Sequence, residues 1–444
     1  MLGYYVKLAA RSLRRNPGIT SLMVLAIALG ISVCVMMLTV YHGMSSNPIW
    51  WKNDRLYAVT LDSWDVQEPA DDEHPDLPPW QLTYNDAAAV AASTIPLHQV
   101  RMVKTTAVLV PEDVAAGAQP ERVMLRVTSA DFFTMFDTPF LYGGGWQAAA
   151  DAGPEPVIVL SREMNEKFFA GENSVGRILR WNDRAFRVTG VLDDWHPSPK
   201  FYDLNNGGFD DPEDAYVPFG WMAALELRSM GNTNCWKPES RNSYADFLNS
   251  ECVWIQSWVE LPDAAARARM QAFLDGYVAD QRKAGRFARP DNNRLTPVDQ
   301  WLADNRVVRD DNRLLVALAF AFLAVCLLNT VGLLLAKFLG NAGVTGIRRA
   351  LGASRRQVFL QHLTEAGLLA AAGALGGLVL AALGLLGLRA LYATGSAGFR
   401  NIMHVDGWSL VTTVLLAALA ALAAGLYPAW RVGRLAPAVY LKTQ

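Results

Sequence analysis

The stretch Gly346-Ile347-Arg348-Arg349-Ala350-Leu351-Gly352-Ala353-Ser354-Arg355-Arg356-Gln357-Val358 lies between two long apolar segments and carries four arginines in two adjacent pairs. Charge at that density is kept out of hydrocarbon, so the stretch marks a place where the chain has left a bilayer and is about to re-enter it. Ile347, Leu351, Val358 and Leu360 recur at roughly helical spacing, with the arginines largely on other faces. Gly352 and Ser354 interrupt the pattern between the two arginine pairs. The expected form is a short amphipathic helix, a turn, and a second helix that enters the membrane. On physics alone, a basic loop that only fixes topology has the same signature.

Outward from this stretch, four apolar segments are long enough to cross a bilayer: residues 19–42, 313–340, 363–392 and 408–430. Residues 1–18 precede them, with Leu2, Tyr5, Val6, Ala9 and Leu13 set against Lys7, Arg11, Arg14 and Arg15, the pattern of a helix lying in the cytoplasmic interface. The first apolar run is longer than a signal-peptide core and has no small-residue cleavage site after it, which makes it an uncleaved span. Residues 43–312 hold 25 Lys and Arg against 40 Asp and Glu, whereas the rest of the 444-residue chain holds 15 against 2. An acidic block between basic membrane segments gives a sided protein: both termini and residues 341–362 inside, 43–312 and the loop 393–407 outside, and 431–444 a cytoplasmic tail. The fold class is therefore an α-helical membrane protein of four spans with a large α+β extracytoplasmic domain between spans one and two. Basic residues flank the spans and form no aromatic-interleaved patch, which excludes nucleic acid as a partner.

Within 43–312 the expected strands are Arg55–Leu61, Arg101–Val110, Val123–Val127, Pro156–Leu160 and Cys252–Leu261, with helices over Tyr84–Thr94 and Asp263–Arg282. Ser161 is expected to cap a helix bearing Met164, Phe168 and Phe169, and Asn182-Asp183 to close a hairpin. Asp65–Trp80, acidic and rich in proline, is expected as an exposed loop. Between His196 and Ser250 the composition turns to Asn, Gly, Asp and Pro, so residues 196–251 are expected as an inserted lobe on a core of 43–195 and 252–312. Cys235 and Cys252 stand near its ends and form a candidate disulfide, permitted in an oxidising compartment. Most of Trp195, Trp221, Trp236, Trp254, Trp258 and Trp301 are expected in the core.

In the spans, Gly373-x-x-x-Gly377 allows close helix packing, within one subunit or between two, and Asn329 and Thr330 can hydrogen-bond across a helix interface. Lys337 is expected to reach the cytoplasmic surface, and Glu365 to pair with an arginine of the 341–362 region.

Three segments resemble one known family. GIRRALGASRRQVFLQHLTEA (346–366) is similar to the coupling-helix region of FtsX/MacB-type ABC transporter permeases, a superfamily that includes the lipoprotein-releasing permeases. Val157–Asp194 resembles that family's periplasmic core domain, and AGLYPAWRVGRLAPAVYLK (424–442) its C-terminal signature. The resemblance implies that Gly346, Ile347, Arg348, Arg349, Leu351, Gly352, Arg355 and Arg356 dock into a dimeric cytoplasmic ATPase, which holds ATP and magnesium, while this chain binds no cofactor of its own. It implies an inner-membrane location, a second permease subunit, identical or homologous, and a periplasmic adaptor or substrate protein as a further partner. One departure from the pattern is Gly343-Val344-Thr345, where the family usually carries an acidic residue; the loss suits one half of a heterodimer better than a homodimer. The expected function is mechanotransmission: ATP-driven movement of the coupling helix passes through the spans to the outer domains and drives export. The alternative is a non-transporting regulator of a periplasmic partner such as a cell-wall hydrolase. No Gly-x-x-x-x-Gly-Lys-Ser/Thr motif, His-Glu-x-x-His pair or nucleophile elbow occurs, so catalysis and a metal site are not expected in this chain.

Overall fold

The computed structural model describes residues 2–72, 74–112, 119–240, 242–391, 400, 402–403 and 407–434. They form two compact units, Met1–Ser45 with Val308–Gln444, and Ser46–Val307. Pro437, Lys442 and most of the 393–407 loop lie outside the described residues.

The first unit is helical. An interfacial helix, Leu2–Arg15, is followed after Asn16 by the first span, Pro17–Ser45, whose opening proline supplies no amide proton that a helix start would leave unpaired. The second span is Asp310–Gly340, the third Arg355–Leu391 and the fourth Gly407–Gly433, with Pro428 inside its last turns. The helix of the third span runs without a break from Arg355, so residues 355–362, expected as part of a separate coupling segment, belong to it.

The first span sits at the centre, burying Met23, Ile27, Ile31, Cys34 and Val35. Small residues bring the third span against it: a Cβ on Gly373 would stand 2.5 Å from Ile27 Cγ2, and one on Gly377 3.0 Å from the Ala28 carbonyl. The Gly373/Gly377 pair thus packs within this chain. Asn329 does not: it faces outward, whereas its neighbour Thr330 faces inward and donates to the Cys326 carbonyl at 2.8 Å. Satisfying a hydroxyl along its own helix costs nothing in lipid, which is why Thr330 can be buried without a partner span.

The second unit is built on a ten-stranded sheet. Its strands are β1 (Leu56–Thr60), β2 (His98–Pro111), β3 (Glu121–Thr128), β4 (Phe140–Gly143), β5 (Val157–Leu160), β6 (Ile178–Trp181), β7 (Arg184–Leu192), β8 (Ala215–Pro218), β9 (Gln256–Glu260) and β10 (Arg294–Pro297). They run in the order β10-β1-β9-β2-β3-β8-β5-β7-β4, with β6 bridging β2 and β7. Only β3–β8 and β5–β7 are parallel. Alternate residues of each central strand enter two cores, for example Val157 and Val159 on one face and Ile158 and Leu160 on the other. Burial on both faces explains why these strands read as unbroken apolar runs.

One face is covered by Ala264–Lys283, through Ala266, Met270, Leu274 and Val278, and by Arg162–Phe169. Ser161 caps the latter, accepting from Met164 N at 3.1 Å. The other face is sealed by an aromatic cluster in which Phe132 meets Phe136, Trp195, Tyr202 and Tyr216. Trp221, Trp254, Trp258 and Trp301 are buried, and Trp236 is half-buried. The β6–β7 hairpin turns through Asn182 and Asp183, both at left-handed φ (47° and 60°), as a two-residue turn between right-twisted strands requires.

The inserted lobe is a correction. Residues 196–251 are woven through the unit: β8 lies in mid-sheet between β3 and β5, and Phe201 and Tyr202 are core residues. A four-residue strand flanked by Asn, Gly, Asp and Pro carries too little periodicity to stand out. Cys235 and Cys252 are bonded, with Cα atoms 4.2 Å apart. Replacing both by serine is expected to destabilise this unit by about 3 kcal/mol, the chain-entropy effect of a loop of this length; thermal unfolding of the full chain measures it, and an unchanged midpoint would contradict it.

Candidate functional site: the basic stretch and its turn

The basic stretch folds as a helix, Ala342–Ala350, that turns back at Leu351-Gly352 into the third-span helix. Gly352 has φ +105°, a conformation that a side chain would strain. Two residues on, Ser354 and Gln357 form a reciprocal cap: Ser354 Oγ accepts from Gln357 N at 3.2 Å, and Gln357 Oε1 accepts from Ser354 N at 2.8 Å. Arg348 Nη1 donates to Gln361 Oε1 at 2.7 Å, fastening the short helix to the long one. The turn and the Arg348 clamp make helix and span one mechanical piece.

The apolar positions of the stretch divide. Val358 is buried in the bundle, as are Ala342 and Gly346, whereas Ile347 and Leu351 are 48% and 83% exposed. Arg355 and Arg356 are exposed beside them, and Arg349 is half-buried. A single apolar face was expected; the structure instead aims Ile347 and Leu351 away from the chain.

Behind the helix lies a cluster that the sequence reading missed. Lys337 Nζ is 2.6 Å from Glu365 Oε1, and Ser12 Oγ donates to the same oxygen at 2.8 Å. His362 Nδ1 stands 3.9 Å from Glu365 Oε2, its ring 4.2 Å from that of Phe338. Lys337 and Glu365 are 5% and 2% exposed, so Lys337 does not reach the surface and Glu365 is paired with it rather than with an arginine of the coupling region. Two opposite charges at one depth on neighbouring spans neutralise each other, which costs less than burying either alone. The only sequence signal was that each is an isolated charge near the inner end of its span. The cluster joins the interfacial helix, the second span and the third span, directly behind the Arg348–Gln361 clamp, around a cavity of about 290 Å³.

Among the described residues no group of three or more His, Cys, Asp or Glu is placed to hold a metal ion. The region presents an exposed apolar pair beside arginines, next to a helix hydrogen-bonded to the third span.

Comparison with known proteins agrees in both units. Residues 20–275 match the family described as MacB-like periplasmic core domain, and residues 316–437 that described as FtsX-like permease C-terminal. The chain is 23% identical over 437 residues to the pyoverdine export ATP-binding/permease protein PvdT of Pseudomonas entomophila, covering 96% of this chain and 57% of that protein. It is 24% identical over 388 residues to the macrolide export ATP-binding/permease protein MacB of Rhodospirillum rubrum, covering 85% and 52%. It thus spans about half the length of these relatives. The periplasmic region of MacB from Actinobacillus actinomycetemcomitans aligns with 58% of this chain and 92% of its own length, at a TM-score of 0.35 and 12% identity.

Proposed function

Because the chain belongs to the ABC transporter permeases that pair a MacB-like periplasmic core domain with an FtsX-like permease region, we propose that it converts ATP hydrolysis by a separate cytoplasmic ATPase into motion of its outer domain, driving export of a periplasmic or membrane substrate. ATP and magnesium belong to that ATPase. The protein resides in the inner membrane and works beside a second permease subunit, with Ser46–Val307 in the periplasm. The observation that carries this reading is the coupling region itself: Ile347 and Leu351 stand exposed between arginines on a helix clamped to the third span through Arg348 and Gln361. An exposed apolar pair with a cationic rim is the anatomy of a protein interface, and the clamp gives any push on that helix a route into the membrane. The relatives named for pyoverdine and macrolide export support the transport side of the proposal.

The test is affinity purification of the tagged full chain in mild detergent, with mass spectrometry of what accompanies it. A nucleotide-binding subunit is expected, and Leu351→Asp is expected to reduce its recovery at least about tenfold, the loss of one buried apolar anchor. Because Leu351 is exposed, that variant retains the fold of the chain. Recovery of periplasmic or cell-wall proteins with no ATPase would overturn the proposal in favour of a regulator without a work cycle.

A further inference from the structure

The outer unit holds a cavity of about 350 Å³ that the coupling mechanism does not use. One wall is the Asp65–Trp80 loop, exposed by composition but tied down in the fold. Arg289 donates to the carbonyls of Asp65, Glu68 and Pro75 at 2.9, 3.2 and 3.2 Å. Asn292 and Arg294 donate to the Asp76 carbonyl at 2.9 and 2.8 Å. The opposite wall is Asn234 and Val253, each next to a cysteine of the disulfide and joined by backbone hydrogen bonds of 3.1 and 2.8 Å. Both walls are therefore held in place before anything binds.

The lining has a definite chemistry. Gln81 is only 4% exposed and contributes to the cavity lining. Asn205, Asn232 and Asn234 add three more amides, and Asp71 and Asp72 two carboxylates. Trp64 and Trp80 contribute half-buried indoles. No lysine, arginine or histidine lines the cavity among the described residues, so nothing there compensates an anionic ligand. Aliphatic lining is confined to Ala70, Val253 and two prolines, too little for an acyl chain.

Amides both donate and accept, as hydroxyl groups do, and a carboxylate accepts from two adjacent hydroxyls at once. An indole offers an apolar face to the C–H side of a pyranose ring and a polar N–H at its edge. We propose that this cavity, between the Trp64–Gln81 segment and the disulfide-tied Asn234/Val253 wall, binds a saccharide built of neutral or amino pyranose units. Its volume falls within the range of roughly 300–1,000 Å³ typical of small-molecule sites. The inference stands on the outer unit alone and does not depend on the transport reading.

The test uses the full chain in lipid nanodiscs, with saturation-transfer NMR and tryptophan fluorescence titration against chitotriose, the glucosamine trimer, cellotriose, maltotriose and mannotriose, and with trilysine as the cationic comparison. At least one saccharide is expected to bind at about 1 mM or tighter, with saturation strongest on ring C–H protons. Gln81→Leu, Trp64→Ala and Asn232→Ala are each expected to weaken it at least about tenfold, because a site built for hydroxyls loses heavily when a partner is removed. Asn232 is exposed, so its variant keeps the melting temperature and separates lost binding from lost folding. No binding by any of the five saccharides, binding that all three variants leave unchanged, or binding of trilysine alone would overturn the proposal.

Discussion

Replacing Glu365 by glutamine is expected to destabilise the membrane unit by about 3–5 kcal/mol, as does any change that leaves one charge of a buried pair uncompensated. Lys337 is then left 5% exposed with no carboxylate beside it, and Ser12 with a weaker acceptor. Lys337→Met is expected to destabilise as strongly, stranding the Glu365 carboxylate beside His362, whose ring packs on Phe338. The two changes together, Lys337→Met with Glu365→Leu, remove both charges and fill similar volume, so the double variant is expected to lie near the parent. Thermal unfolding of the purified chain in detergent, followed by size-exclusion chromatography, compares the four proteins. A double variant as unstable as the sum of the singles would show that the pair is not a unit.

A second large effect is expected in the outer unit from Arg126→Met. Arg126 on β3 is fully buried and pairs with both Asp203 and Glu213; Lys200 stands 3.3 Å from Glu213, and Tyr202 donates to it at 3.2 Å. Asn206 and Gln256 each donate to Asp203 at 2.9 Å. Removing the guanidinium leaves two buried carboxylates, of which only Glu213 keeps an ammonium, that of Lys200, within 4 Å, a loss of about 3–5 kcal/mol. Burial alone would raise the Glu213 carboxyl, but Arg126 and then Lys200 overcome it and hold the group at about 2, below its ordinary 4.5. A carboxyl lowered in the folded state stabilises fully above its unfolded value and loses that contribution as pH falls through the folded one. The parent's outer unit is therefore expected to weaken between about pH 4.5 and 2. With Arg126 gone the Glu213 carboxyl rises, and the acid transition moves to higher pH. Acid titration followed by tryptophan fluorescence reads both curves; superimposable transitions would contradict the assignment.

These two clusters mark the boundary of what the amino-acid sequence made legible. The four spans, the interfacial helix and the turn at Gly352 follow from hydropathy length, amphipathic spacing and a glycine between arginine pairs, all local signals. So do the Ser161 cap and the Asn182-Asp183 hairpin. Lys337 and Glu365 were visible singly, yet their pairing depends on how the second and third spans face each other, which a helix's own sequence does not state. Asn329 faces out of this chain's bundle for the same reason: its neighbour Thr330 faces inward, and one residue is about 100° on a helix. Residues 196–251 misled through composition. Lys200, Asp203 and Glu213 look like loop residues, and only their pairing makes burial tolerable, Asp203 and Glu213 with Arg126 and Lys200 with Glu213. The cavity beside the disulfide was hidden likewise, since its lining comes from four separate segments.

The most direct measurement places a photo-crosslinking amino acid at Leu351 of the full chain and irradiates native membranes. The account predicts one principal adduct, to a nucleotide-binding ABC subunit, that weakens when Arg355 and Arg356 are both changed to Glu. Adducts to lipid alone, or to proteins that bind no nucleotide, would contradict the docking role of this helix and the mechanism built on it.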